Sequence, residues 1–125
     1  MKKIINTTKA PAPIGPYSQA ILAGDTLYIS GQIPIDPKTG KIIDESIEKE
    51  TQQVMENLSA VLNAAEMNFS NVVKTTIFLS DMDLFTKVNE VYGTYFTSDF
   101  PARETVAVRT LPKNVNVEIS VIAVR

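Results

Sequence analysis

"SIEKETQQVMENLSAVLNAA", Ser46 to Ala65, decides how the rest of the chain must fold. Apolar or small residues fall at Ile47, Thr51, Val54, Met55, Leu58, Val61, Leu62 and Ala65, a stripe of period 3.6 with polar residues on the other side. The spacing predicts an amphipathic helix packed along one side. Ser46 is placed to cap its first turn, where Glu48 and Glu50 suit the positive end of the helix dipole.

Both flanks of this helix read as β-structure. Upstream, "KKIIN" is a short strand candidate, followed by the rigid loop "KAPAPIGP". "YSQAILAGDTLYISGQ" gives two β-rich runs hinged at Gly24-Asp25, a hairpin with Leu27 and Ile29 on one face and Tyr28 and Ser30 on the other. "PIDPKTGK" is a turn-rich loop. Downstream, the β-branched "NVVKTTIFLS" reads as a central strand. Ser80 or Asp81 then caps a second helix to about Phe96, with Phe85, Val88, Tyr92, Tyr95 and Phe96 as its core stripe. Two strands within "FPARETVAVRTLPKNVNVEI", joined by a Leu-Pro-Lys turn, close the chain. The order predicts a single α+β domain over residues 1–125, with both helices laid on one face of a mixed sheet.

The other face then lacks a cover. Alternation turns Val115, Val117, Ile119 and Val121 toward the helices and leaves Asn116, Glu118, Ser120, Ile122 and Val124 opposite. A half-apolar sheet face without helices predicts a partner subunit, so a homo-oligomer with ligand pockets at its seams is expected. On the preceding strand, Arg103, Thr105, Ala107 and Arg109 are expected on the helix-free face, with Glu104, Val106 and Val108 toward the helices. Arg103 and Glu118 would then meet across neighbouring strands, either as a structural ion pair or as a functional one.

Composition narrows the chemistry. The chain has 125 residues, 44% of them hydrophobic and 21% charged, with no apolar stretch of membrane-spanning length. No apolar segment of signal-peptide type follows the amino-terminal lysines, so a soluble cytoplasmic protein is the expectation. There is no cysteine and no histidine, which removes thiolate zinc sites, Cys-His and Ser-His-Asp catalysis, and histidine acid-base work. Carboxylate, guanidinium, hydroxyl and backbone groups remain. A net charge of −2 argues against a broad electrostatic grip on nucleic acid.

The segments "APIGPYSQA", "ISGQIP", "VVKTTIFLSDM", "VNEVYGTYF", and "FPAR" followed by "LPKNVNVEI" resemble the Rid family, also called YjgF, across essentially the whole chain. Within it the chain looks most like the reactive-intermediate deaminases, which hydrolyse 2-imino and enamine acids such as 2-iminobutanoate and 2-iminopropanoate. The resemblance implies a chorismate-mutase-like fold, a homotrimer with clefts between subunits, and chemistry without metal or organic cofactor. It assigns Arg103 as the carboxylate-binding residue and Glu118 as the acidic catalytic residue. Tyr17, Ser30, Gly31, Asn89 and Thr105 become substrate-binding positions. The chain departs from the family at Thr105, where many relatives carry cysteine, and at Glu66, where a glycine usually ends the first helix. A backbone amide at Thr105 can still hold a carboxylate, while Glu66 strains the helix end if a left-handed conformation is required there. Two other readings stand beside the enzyme: a regulatory module binding keto or amino acids in the same clefts, and an RNA-cleaving protein, which the acidic balance and missing histidine disfavour.

Overall fold

A computed structural model describes residues 1–125. Six strands form one mixed sheet: β1 (Lys2–Ile5), β2 (Ala20–Ala23), β3 (Thr26–Gln32), β4 (Val72–Leu79), β5 (Ala102–Ala107) and β6 (Val117–Val124). Their spatial order is β1-β2-β3-β6-β4-β5. The helices are α1 (Ile47–Ala64) and α2 (Phe85–Gly93). No helix is long and apolar enough to cross a membrane.

The elements form for the reasons the sequence indicates. The β2–β3 hairpin turns at Gly24, whose φ of +60° suits a residue without a Cβ. Ser46 caps α1 by accepting a hydrogen bond from the Lys49 amide, and the stripe Thr51, Val54, Met55, Leu58, Val61 and Leu62 is buried. Opposite it lie Leu27, Ile29, Ile77, Leu79, Val117, Ile119 and Val121, the other half of the core. The second helix starts later than expected, because Asp81 caps a 3₁₀ turn at Met82–Leu84 before α2 begins. Val88 and Tyr92 are its buried residues, with Phe85, Tyr95 and Phe96 packed at the core margin.

Glu66 does occupy the left-handed region, at φ +59°. Its amide reaches the Asn63 carbonyl and the Met67 amide reaches Leu62, each at 2.9 Å. These two bonds are the Schellman closure of a helix end, completed by burial of Met67 near Leu62.

Two expectations for the last strands need correction. β5 and β6 are not neighbours: β5 pairs in parallel with β4, and β6 lies antiparallel on β4's other side. A strand that returns through a crossover helix is delivered parallel to the strand before the helix, so β5 takes the outer edge of β4. The segment between β5 and β6 is a long return rather than a tight turn. It includes a 3₁₀ turn at Pro112–Asn114 with Lys113 and Asn114 at positive φ.

The second correction concerns faces. Arg103, Thr105 and Ala107 are in register with Thr75, Ile77 and Leu79, all buried on the helix side. Arg103 and Thr105 therefore face the helices, while Glu104 and the 47% exposed Val106 turn away. Period-2 alternation fixes which residues share a face but not which face is covered. Edge strand β5 lies at the rim of the helix layer, where a guanidinium can stay wet, and Val106 instead joins the apolar helix-free surface. Asn116 also departs from its expected face: its side-chain amide donates to buried Glu50 of α1 at 3.0 Å.

Candidate functional site

Arg103 sits in a seat built by one stripe of α2. Phe85, Asn89 and Tyr92, spaced i, i+4 and i+7, share a helix face. The Arg103 Cζ lies 5.1 Å from the Tyr92 ring centroid and 5.6 Å from that of Phe85, within cation–π range. Nη1 donates to Asn89 Oδ1 at 2.6 Å. No carboxylate neutralises the arginine, since the one salt bridge joins Lys74 and Glu104. Asn89, Tyr92, Gly93, Phe100, Pro101 and Arg103 line an open recess of about 470 Å³. Two residues along β5, the buried Thr105 Oγ1 has no hydrogen-bond partner.

Burial pushes the Tyr92 phenol above its ordinary value, against the lowering effects of Thr75 and Arg103, so at neutral pH the ring stays uncharged. The sequence marks Tyr92 only as a core residue of the second helix, two helical turns beyond Phe85 on the same stripe. Their i, i+7 spacing around Asn89 was the available signal for a platform beneath the arginine.

Glu118 belongs to the other face. Its register partner on β4 is Phe78, which is itself in register with Val106. Gly31 lies against it: a Cβ there would fall 2.8 Å from Glu118 Cδ and closer still to Oε2. The missing side chain thus leaves room for the carboxylate. This close approach occurs where β3 and β6 shift register between Ile29 and Gln32. Desolvation by burial raises the Glu118 pKa, and it is the sole cause. Arg103, on the other face, does not contribute to it.

Tyr17 and Gly31 line a small cavity of about 40 Å³ with Ile14, Gln32, Ile33 and Ile35 among its walls. Tyr17, half-exposed, also borders a shallow depression of about 430 Å³ that includes Ser30. Ser30 serves the backbone: its hydroxyl donates to the Ser18 carbonyl at 2.6 Å and its amide to Gln19 at 2.9 Å, tying the Tyr17 loop to β3. Buried Gln19, missed by the sequence reading, holds the same loop by bonding Thr7, Ala10 and Pro11. The seven candidate residues therefore form two half-sites. Arg103, Asn89 and Thr105 lie on the helix side at the sheet edge, and Glu118, Gly31, Ser30 and Tyr17 lie around the β3–β6 bulge and the amino-terminal loop.

Another recess, about 370 Å³ between Phe69 and Tyr95–Asp99, contains no cation to hold an anionic ligand. No cluster of His, Cys, Asp and Glu suited to a metal ion occurs.

A two-layer α+β protein with a seated, unneutralised arginine and a desolvated carboxylate is the class defined by this geometry. Residues 7–125 match the family model described as Endoribonuclease L-PSP, and the chain belongs to that family, the Rid or YjgF family. It is 54% identical to a RutC family protein of Pyrococcus horikoshii over 98% of both chains. It is 49% identical to the mouse 2-iminobutanoate/2-iminopropanoate deaminase, covering 100% of this chain and 93% of that one. The crystal structure of E. coli TdcF with bound serine superposes with a TM-score of 0.95 at 40% identity, covering 98% of each chain.

Proposed function

We propose that this chain hydrolyses reactive 2-imino and enamine acids to 2-keto acids and ammonia, in a homotrimer whose subunit seams join the two half-sites. The observation that carries this reading is the state of Arg103: a guanidinium held by two rings and a neutral amide, with no carboxylate of its own, facing an open recess. Such a fork is suited to a substrate carboxylate through parallel charge-assisted bonds. Glu118, with its raised pKa, suits proton transfer.

With the substrate carboxylate on Arg103 of one subunit and its C=N carbon near Glu118 of the next, the carboxylate of Glu118 takes a proton from water as the oxygen adds to that carbon. Glu118 then returns the proton to nitrogen. The imine enters protonated at nitrogen, so this transfer makes an ammonium leaving group. Glu118 then takes the hydroxyl proton as an oxygen lone pair forms C=O and the C–N bond breaks, releasing ammonia and the 2-keto acid, and the proton left on Glu118 passes to the ammonia or to solvent. The half-apolar helix-free face, with Tyr28 50% and Val106 47% exposed, supports burial against another copy. The deaminase name of the mouse relative supports the substrate class.

The test is an imine assay: 2-iminopropanoate is generated by a dehydratase and the residual imine is trapped with semicarbazide. Wild type is expected to accelerate imine loss. Arg103→Ala is expected to lose roughly 10- to 100-fold in kcat/KM, the worth of a charge-assisted clamp. A second reading, a sensor of amino or keto acids, is favoured by the serine bound to TdcF. Tight keto-acid binding without faster imine loss would support the sensor and overturn the enzyme.

A further inference from the structure

Resting on the clamp role of Arg103, we propose that Tyr92 is a positioning residue, locked by Thr75 so that its ring fixes the orientation in which Arg103 meets a substrate carboxylate. Tyr92 is 4% exposed, and its hydroxyl donates to Thr75 Oγ1 at 3.0 Å. Thr75 is fully buried and is the register partner of Arg103 on the adjoining strand. The strand that positions the Arg103 backbone therefore also anchors the ring beneath its guanidinium. Of the two aromatic neighbours, Tyr92 lies closer, at 5.1 Å against 5.6 Å for Phe85.

Packing alone does not require this pair. Phenylalanine and valine would fill the same interface without hydroxyls, and burying two hydroxyls demands that each be satisfied. What the bond adds is a fixed ring, held at its far end as well as at its Cβ. A long arginine stem loses rotamer freedom when it binds a ligand, and a rigid platform moves that loss into folding. Asn89 Oδ1 fixes Nη1 at the same time, so plane and direction are both set before substrate arrives.

The experiment compares KM and kcat for a 2-imino acid and for its methyl ester, which lacks the anion, in wild type, Arg103→Ala, Tyr92→Phe and Tyr92→Leu, with thermal stability measured alongside. Wild type is expected to prefer the acid, and Arg103→Ala to lose that preference. Tyr92→Leu, which removes the platform, is expected to raise KM for the acid about tenfold while kcat and the ester kinetics change little. Tyr92→Phe, which keeps the ring and frees it from Thr75, is expected to raise the acid KM about threefold. If Tyr92→Leu is too unstable to assay, Tyr92→Phe carries the test. Acid and ester kinetics declining in parallel with stability would make Tyr92 a core residue and overturn the proposal. If Arg103→Ala keeps the acid preference, the clamp itself is refuted, and the Tyr92 role falls with it.

Discussion

Arg103 and Glu118 stand on opposite faces of one sheet, with β4 running between their strands. Arg103 shares a cross-strand row with Thr75 and Val121, under the helices. Glu118 shares one with Phe78 and Val106, on the helix-free side. Within a subunit neither charge answers the other, so each is left available to something outside it. On the proposed reading that something is a ligand gripped between two copies, and the separation gives the following expectations.

Gly31→Ala places a Cβ 2.8 Å from Glu118 Cδ, inside any normal contact. The carboxylate must shift, and the substitution is expected to lower kcat/KM and to destabilise the fold by about 1–3 kcal/mol through overpacking. Adding Glu118→Ala is expected to restore denaturant stability but not activity. Full activity in Gly31→Ala would show that the position of Glu118 is not critical.

Glu118→Gln is expected to slow imine hydrolysis by roughly 10² to 10⁴-fold, the usual worth of positioned acid-base help. Its effect on stability depends on pH. Because burial raises the folded-state pKa, the folded protein binds the proton more tightly than the unfolded chain. Below the ordinary carboxylate range both states are protonated and the group costs nothing. As pH rises from the unfolded value through the folded one, stability falls, and the loss is complete above it. Glu118→Gln is therefore expected to raise stability at neutral pH and to give no such gain in acid, as read by urea denaturation across pH. An equal gain at every pH would contradict the burial of this carboxylate.

Glu66→Gly removes a Cβ from a left-handed position whose Schellman bonds are already made. A stabilisation of about 1 kcal/mol is expected, with unchanged imine hydrolysis, since the site lies elsewhere. Thermal unfolding beside the imine assay checks both.

The layering of this fold was legible because α1, the hairpin and β4 carry strong local signals: a 3.6-residue stripe, a Gly-Asp hinge and a β-branched run. The position of β5 was not, because pairing between distant segments leaves no local mark; "FPARETVAVRTLPKNVNVEI" looks the same whether its strands are neighbours or have β4 between them. Parity also left the Arg103 face undetermined, and an edge strand at the rim of the helix layer reverses the usual preference for apolar residues beneath helices. Arg103 and Glu118 stood out as charges within strands, but the roles assigned to them came from the family motifs. Their half-site companions divided according to topology: Asn89 could be joined to Arg103 once α2 was known to cross over to β5, and Gly31 to Glu118 once β3 was known to pair with β6.

The most direct test of a seam-built site is complementation between two inactive subunits. Arg103→Ala and Glu118→Gln chains are unfolded, mixed in equal amounts and refolded together, and imine loss is compared with each variant refolded alone. If each cleft draws Arg103 from one subunit and Glu118 from the next, about a quarter of the clefts in random mixtures carry both native residues, and activity recovers to about that fraction of wild type. Mixed oligomers that form but stay as inactive as their parents would contradict the account.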